Sequence, residues 1–207
     1  SATNVAVDAA GIVVLGLLWK RDLEAEESRL KRATKGVELA KLKVRGSKAL
    51  LEGSEIDDTA SSGDTFTTSL ASLRRGRGIE KRVVIVVGGK AKIDAILKDA
   101  TDLQESLVLN DFLIVPVVLP QISPLSDVSP DKLPPSIALP VGPNWSFVVK
   151  DEVEEAAKQG IDAEKEGCCI VLKKNGRVGQ RTRGVFLNNM VDNVTRRREA
   201  GMDVKNI

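Results

Sequence analysis

An α/β domain is the fold this sequence predicts for residues 81–207, on three observations. Two apolar, β-branched runs, Arg82–Val87 and Phe112–Leu119, flank a segment whose apolar residues fall on helical spacing. Asn175-Gly176 separates two further strand-like runs, and an amphipathic segment from Phe186 to about Ala200 follows them. A run that is apolar at every position belongs to a strand covered on both faces. Strand, helix, strand with short connections makes a right-handed βαβ unit, and Asn-Gly between strands marks a type I′ hairpin turn.

Composition narrows the chemistry. The 207 residues are 42% hydrophobic and 29% charged, enough for one ordinary domain with extensions. Aromatics are only 3% and Tyr is absent, so the core must be aliphatic. Histidine is absent too, which excludes Ser-His and Cys-His nucleophile activation, imidazole acid–base chemistry and histidine-ligated metals. Lys and Arg number 31 against 29 Asp and Glu, a formal net charge of +2. That balance argues against a nucleic-acid partner and makes any basic surface local. Cys168 and Cys169 are sequence neighbours, and neighbours on a strand point to opposite faces, so a disulfide between them would need a strained turn. Free thiols in a reducing compartment are expected.

Residues 1–19 are apolar from Val5 to Trp19 except at Asp8, and the run stops at Lys20-Arg21. It falls about a turn short of the ~20 residues a spanning helix needs. A Trp followed by cations is nevertheless how a membrane helix ends. The segment is read as a membrane or membrane-interface helix, with Leu15, Leu17, Leu18, Trp19, Lys20 and Arg21 as its candidate anchor. Residues 20–52 are rich in Glu, Lys, Arg, Leu and Ala and free of Pro, and read as a long, exposed charged helix. Residues 53–80 are dense in Ser, Thr, Asp and Gly and read as a flexible linker. Near its end, Arg74, Arg75 and Arg77 are candidates for an acidic partner or a phosphate.

Within the α/β domain, Lys90 to about Leu107 is the first helix, carrying Ala91, Ile93, Ile96, Leu97 and Leu103. Pro116 places the second strand at an edge or a kink. Seven of the eight prolines lie between Pro120 and Pro143, and residues 120–143 read as an extended insertion. Trp145 just beyond it is a candidate partner-binding residue, because a stiffened loop loses little entropy on ordering and Trp is a favoured interface anchor. The alternative is that Trp145 caps the core. Asp151 to about Gly160 reads as a short helix whose Glu152, Glu154 and Glu155 form a solvated face. The last helix carries Arg196, Arg197 and Arg198 in its final turn and stops at Gly201.

A βαβ unit, a second helix, an antiparallel hairpin and a final helix follow the element order of a thioredoxin-like fold. Enzymes of that fold carry Cys-x-x-Cys, or a lone peroxidatic Cys, at the turn after the first strand, where a helix N-terminus lowers the thiol pKa. Here the turn reads Gly88-Gly89-Lys90-Ala91, without sulfur. It is not a phosphate loop either, because Val84 stands where a glycine is required and Ala91 where Ser or Thr is. No paired carboxylates, metal-ligand spacing or cofactor fingerprint appear, and neither metal nor cofactor is expected. Three functions remain open: a non-catalytic assembly or scaffold factor, a thiol-dependent oxidoreductase or peroxiredoxin relative using Cys168 or Cys169, and a subunit of a larger complex.

The passage from Asn4 through Trp19-Lys20-Arg21-Asp22 into the charged run ending at Arg32 resembles the juxtamembrane part of the Low PSII Accumulation family. These are chloroplast thylakoid proteins, with cyanobacterial relatives, that assist photosystem II assembly. Plant members carry tetratricopeptide repeats ahead of two membrane spans, so the resemblance implies that this chain is the C-terminal portion. It also implies a thylakoid membrane location with the soluble domain facing the stroma. The partners it implies are the membrane through the N-terminal helix and a membrane protein complex, either photosystem II subunits or other assembly factors. The family supplies no catalytic residue to carry over.

Overall fold

A computed structural model describes residues 18–27, 30, 34–48, 61–62, 65–74, 76, 79–120 and 133–204. The chain divides into two compact units, Ser1–Glu38 and Leu39–Ile207. In the first unit, residues 18–27 and 34–38 are helical. Lys20 and Glu24 approach to 4.0 Å across one turn, both exposed, and the Thr34 hydroxyl donates to the Leu30 carbonyl. Among the described residues no helix is long and apolar enough to cross a membrane. Leu15 and Leu17 lie outside the described residues, whereas Leu18, Trp19, Lys20 and Arg21 are helical and exposed.

The second unit corrects the expected boundaries at its start. Helix ends at residue 41, and Lys43–Ser47 is a strand, β1, where a helix to residue 52 was expected. The expected linker holds β2 (Ser61–Ser62) and β3 (Thr65–Ser69). These strands escape a reading by apolar runs because little of them is buried and apolar. In β1 Val44 and Gly46 alternate inward between exposed Lys43 and Arg45, and in β3 only Phe66 is buried. A further strand, β6 (Ala138–Val141), lies inside the proline-rich segment expected to be an extended loop. The four form an antiparallel sheet in the order β2-β3-β1-β6. Pro140 faces Val44 on the outermost strand, where a missing N–H is tolerated.

The second sheet is the expected domain. Its strands are β4 (Arg82–Gly89), β5 (Phe112–Leu119), β7 (Cys168–Leu172) and β8 (Val178–Arg183), in the order β5-β4-β7-β8. β4 and β5 are parallel, and β7 is antiparallel to both β4 and β8. Helices α1 (Lys90–Asp102) and α2 (Gln104–Leu109), broken at Leu103, join β4 to β5. With α5 (Leu187–Glu199) packed after the hairpin, this is a thioredoxin-like α/β domain. The edge position of β5 accords with its Pro116.

Alternation along the central strands builds the layers. Val83, Ile85 and Val87 of β4 join one apolar cluster with Val44, Phe66, Trp145 and Cys168. Val84 and Val86 join a second with Ile93, Ile96, Cys169, Leu187 and Val191. The central sheet therefore has β1 and β3 on one face and α1 and α5 on the other, which is why its strands read as unbroken apolar runs.

Two local expectations change. The helix expected from Asp151 begins at Asn144: α3 spans Asn144–Lys158 and buries Trp145, Val149 and Glu152 at helical spacing. The hairpin tip is not a type I′ turn, which requires positive φ at both central residues. Among the described residues Asp111 is the one non-glycine with positive φ, so Asn175 stays in the ordinary region and Gly176 alone takes φ 78°. The Asn175 side chain accepts from the Arg177 N–H at 3.0 Å, and Arg74 lies over Gly176, where a Cβ would collide with it.

Candidate functional site

Three places were singled out by residue type, and the structure separates them. The first is the turn from β4 into α1, where thiol enzymes of this fold hold their reactive sulfur. Gly89 is its last strand residue, and a Cβ built there would lie 2.9 Å from the backbone oxygen of Glu164. Glu164 belongs to α4 (Ala163–Glu166), whose start is capped by Asp162 accepting from the N–H groups of Glu164 and Lys165. Those bonds hold the Asp162 carboxyl below its ordinary pKa. The turn thus lacks sulfur, and the space against Gly89 is filled by the chain's own backbone.

The second place is the vicinal cysteine pair on β7. As the strand alternation requires, Cys168 packs in one apolar cluster and Cys169 in the other, and both are free thiols. Burial pushes the Cys168 thiol up to about 11, with Cys169 and Glu152 adding to the effect. Burial also raises Cys169, partly offset by Thr182, whose hydroxyl lies 2.9 Å from its sulfur. A reactive thiol needs a nearby positive field. Here a cleft of about 160 Å³ brings Cys168 close to Glu152 and Arg181, but the guanidinium is committed. Its Nε and Nη2 donate to the two Glu152 carboxylate oxygens at 2.6 and 2.9 Å. Glu152, expected on a solvated face, is 5% exposed, which corrects that expectation. A carboxylate is stable there because a bidentate arginine from β8 neutralises it. Arg183, two residues on, pairs likewise with Glu166.

The third place is the expected contact surface. Trp145, the candidate anchor, is 2% exposed, and its indole N–H donates to the Lys43 carbonyl at 2.8 Å. An indole held in the core has no face left for a partner, so the contact role is corrected to that of a core residue tying α3 to β1. The exposed aromatic of α3 is Phe147. Arg75 and Arg77 lie outside the described residues, while Arg74 stands at the hairpin tip.

Sequence reasoning missed a charged cluster at that end of the sheet. The Asp111 carboxylate is 2.6 Å from the Lys174 ammonium and 3.9 Å from that of Lys81, both lysines largely buried. Burial lowers the Lys81 pKa, Asp111 counters it, and Lys174 adds to the lowering. Beside them Arg82 is buried, donating to the carbonyls of Asn110 at 2.6 Å and of Val204, over the Phe112 ring. Its pKa is lowered chiefly by burial. The lysines and Asp111 come from three separate segments, so no local motif announces the cluster.

The strand order and the closing helix define the class as a thioredoxin-like α/β domain. No protein-family model matches the chain, and no curated protein sequence does. Among solved structures it is similar to the mitochondrial 2-Cys peroxiredoxin of Plasmodium falciparum, at 9% identity and a TM-score of 0.42, over 80% of this chain and 99% of that one. Mycobacterium bovis AhpC is similar at 12% identity and a TM-score of 0.39, over 76% and 91% of the two chains. Likeness of this degree carries nothing about activity.

Proposed function

We propose that this chain is a non-catalytic, membrane-sited assembly or scaffold factor for photosystem II biogenesis, with its α/β domain on the stromal side of the thylakoid. The observation that supports a binding role over a catalytic one is the filled βα turn: Gly89 packs on the Glu164 carbonyl where an enzyme of this fold needs a thiol and room for substrate. The buried thiols, both with raised pKa, point the same way. The photosynthetic assignment rests on the resemblance of residues 4–32 to the Low PSII Accumulation family.

Gentle detergent solubilisation of photosynthetic membranes followed by affinity purification of the chain tests the reading. A photosystem II assembly intermediate should be recovered with it, and Cys168→Ser with Cys169→Ser should leave that recovery unchanged. Recovery of the chain from the soluble fraction without any photosystem subunit would overturn it. So would disulfide reductase or peroxidase turnover together with a thiol pKa well below the free value of ~8.5.

A further inference from the structure

The end of the domain opposite the α1 turn combines cations with exposed apolar side chains. Six elements meet there: β4 and β5 at their starts, β7 and β8 at their tip, and α2 and α5 at their ends. Arg198 ties two of them, its Nη2 donating to the Leu109 carbonyl at 3.1 Å. Arg74 over Gly176, and Lys174 on Asp111, tie in the hairpin. Arg196 and Arg197 in the last turn of α5 are exposed and, with Asn189, Asn193 and Met202, line a shallow depression of about 460 Å³. No carboxylate is among its described lining residues. Leu109 is 68% exposed and Met202 59%, so apolar side chains stand beside the cations. The acids of this end are Asp111, held between two lysines, with Glu80, Glu199 and Asp203, with Asp102 and Glu105 at the α1–α2 break, and with exposed Asp192 one turn before Arg196 on α5.

We propose that this end is a docking face for an anionic lipid surface, with the depression at Arg196 and Arg197 receiving a headgroup and Leu109 and Met202 entering the interfacial layer. Cations alone would suit any acidic partner. Exposed apolar side chains flanking them are the combination that an anionic bilayer rewards, through electrostatic attraction and apolar burial together. Paired asparagine amides one helical turn apart add donors for headgroup oxygens. The proposal deepens the membrane-sited reading by naming the surface that faces the bilayer. Its test needs no photosystem partner, so its failure leaves the assembly reading to the co-purification above.

The full chain is sedimented with vesicles of phosphatidylcholine alone and of phosphatidylcholine mixed with phosphatidylglycerol. Any contribution of the apolar N-terminus is common to all variants. Partition onto the anionic vesicles should weaken with salt, and Arg196→Glu with Arg197→Glu should lower it at least about tenfold while leaving phosphatidylcholine binding unchanged. Leu109→Asn with Met202→Asn, which keeps every charge, should weaken partition onto the anionic vesicles while keeping its salt dependence. Equal partition onto both vesicle types overturns the proposal, as does an arginine double variant, folded by circular dichroism, that partitions like the parent. Binding to a polyglutamate peptide together with unchanged vesicle partition of the variant altered at Leu109 and Met202 also overturns it, assigning the face to an acidic protein segment.

Discussion

At one end of the central sheet β4 runs into Gly88-Gly89 and α1, with α4 closed over the turn; at the other, the β7–β8 tip, Asp111 and the end of α5 gather cations. The arginines nearer the closed end are matched one to one, Arg181 by Glu152 and Arg183 by Glu166. At the opposite end Lys81 and Lys174 share a single carboxylate. The difference is one of charge pairing: the end where enzymes of this fold carry their thiol is packed and neutralised, whereas at the far end two lysines depend on one carboxylate and Arg196 and Arg197 stand exposed.

Four changes would break or sharpen that contrast. Trp145→Ala removes support common to both ends and should cost about 3–5 kcal/mol in urea denaturation, with any loss of partner binding following from unfolding. A variant that folds normally but fails to bind would restore Trp145 as a contact residue.

The Cys168 thiol should add an alkaline slope to stability. Its folded pKa of about 11 exceeds the ordinary 9.0, so the contribution is complete below about pH 9 and disappears as pH rises towards 11. The difference between wild type and Cys168→Ala should therefore shrink by roughly 2–3 kcal/mol across that window. Taking the difference cancels Lys81, whose lowered pKa acts in the opposite sense. A constant difference would mean an accessible, ordinary thiol.

Glu152→Ala should cost about 2 kcal/mol, less than for a fully buried pair, because the Arg181 side chain is partly exposed and regains water. It should also lower the Cys168 pKa by removing a neighbouring negative charge. Gly89→Ala should cost about 1–2 kcal/mol, because the obstacle is a backbone oxygen and not a side chain that swings away. Unchanged chemical denaturation would show that the turn is open.

Legibility in the sequence followed burial. Arg82–Val87, Phe112–Leu119 and Cys168–Leu172 were readable because both faces of the sheet are covered there, leaving no polar position to blur the runs, whereas the polar β8 was placed by Asn175-Gly176 before it. β1 was hidden because Gly46 occupies one of its inward positions, so Val44 is its one buried side chain of any size. The start of α3 was hidden because Trp145-Ser-Phe-Val-Val149 resembles a strand. The i, i+4, i+7 spacing of Trp145, Val149 and Glu152 signals a helix once a glutamate is allowed inside, and only its arginine partner, 29 positions away, permits that. The Asp111 cluster assembles from distant segments and leaves no spacing to read.

One further consequence belongs to β8. Among the described strands it pairs with β7 alone, so it forms a margin of the sheet, the place where a strand from a second molecule can add. Arg181 and Arg183 stand on that margin, held in place by their glutamates. Charged side chains along an edge strand disfavour the addition of a second strand, because pairing would strip water from them. Replacing both arginines with valine should therefore appear as concentration-dependent growth in light scattering.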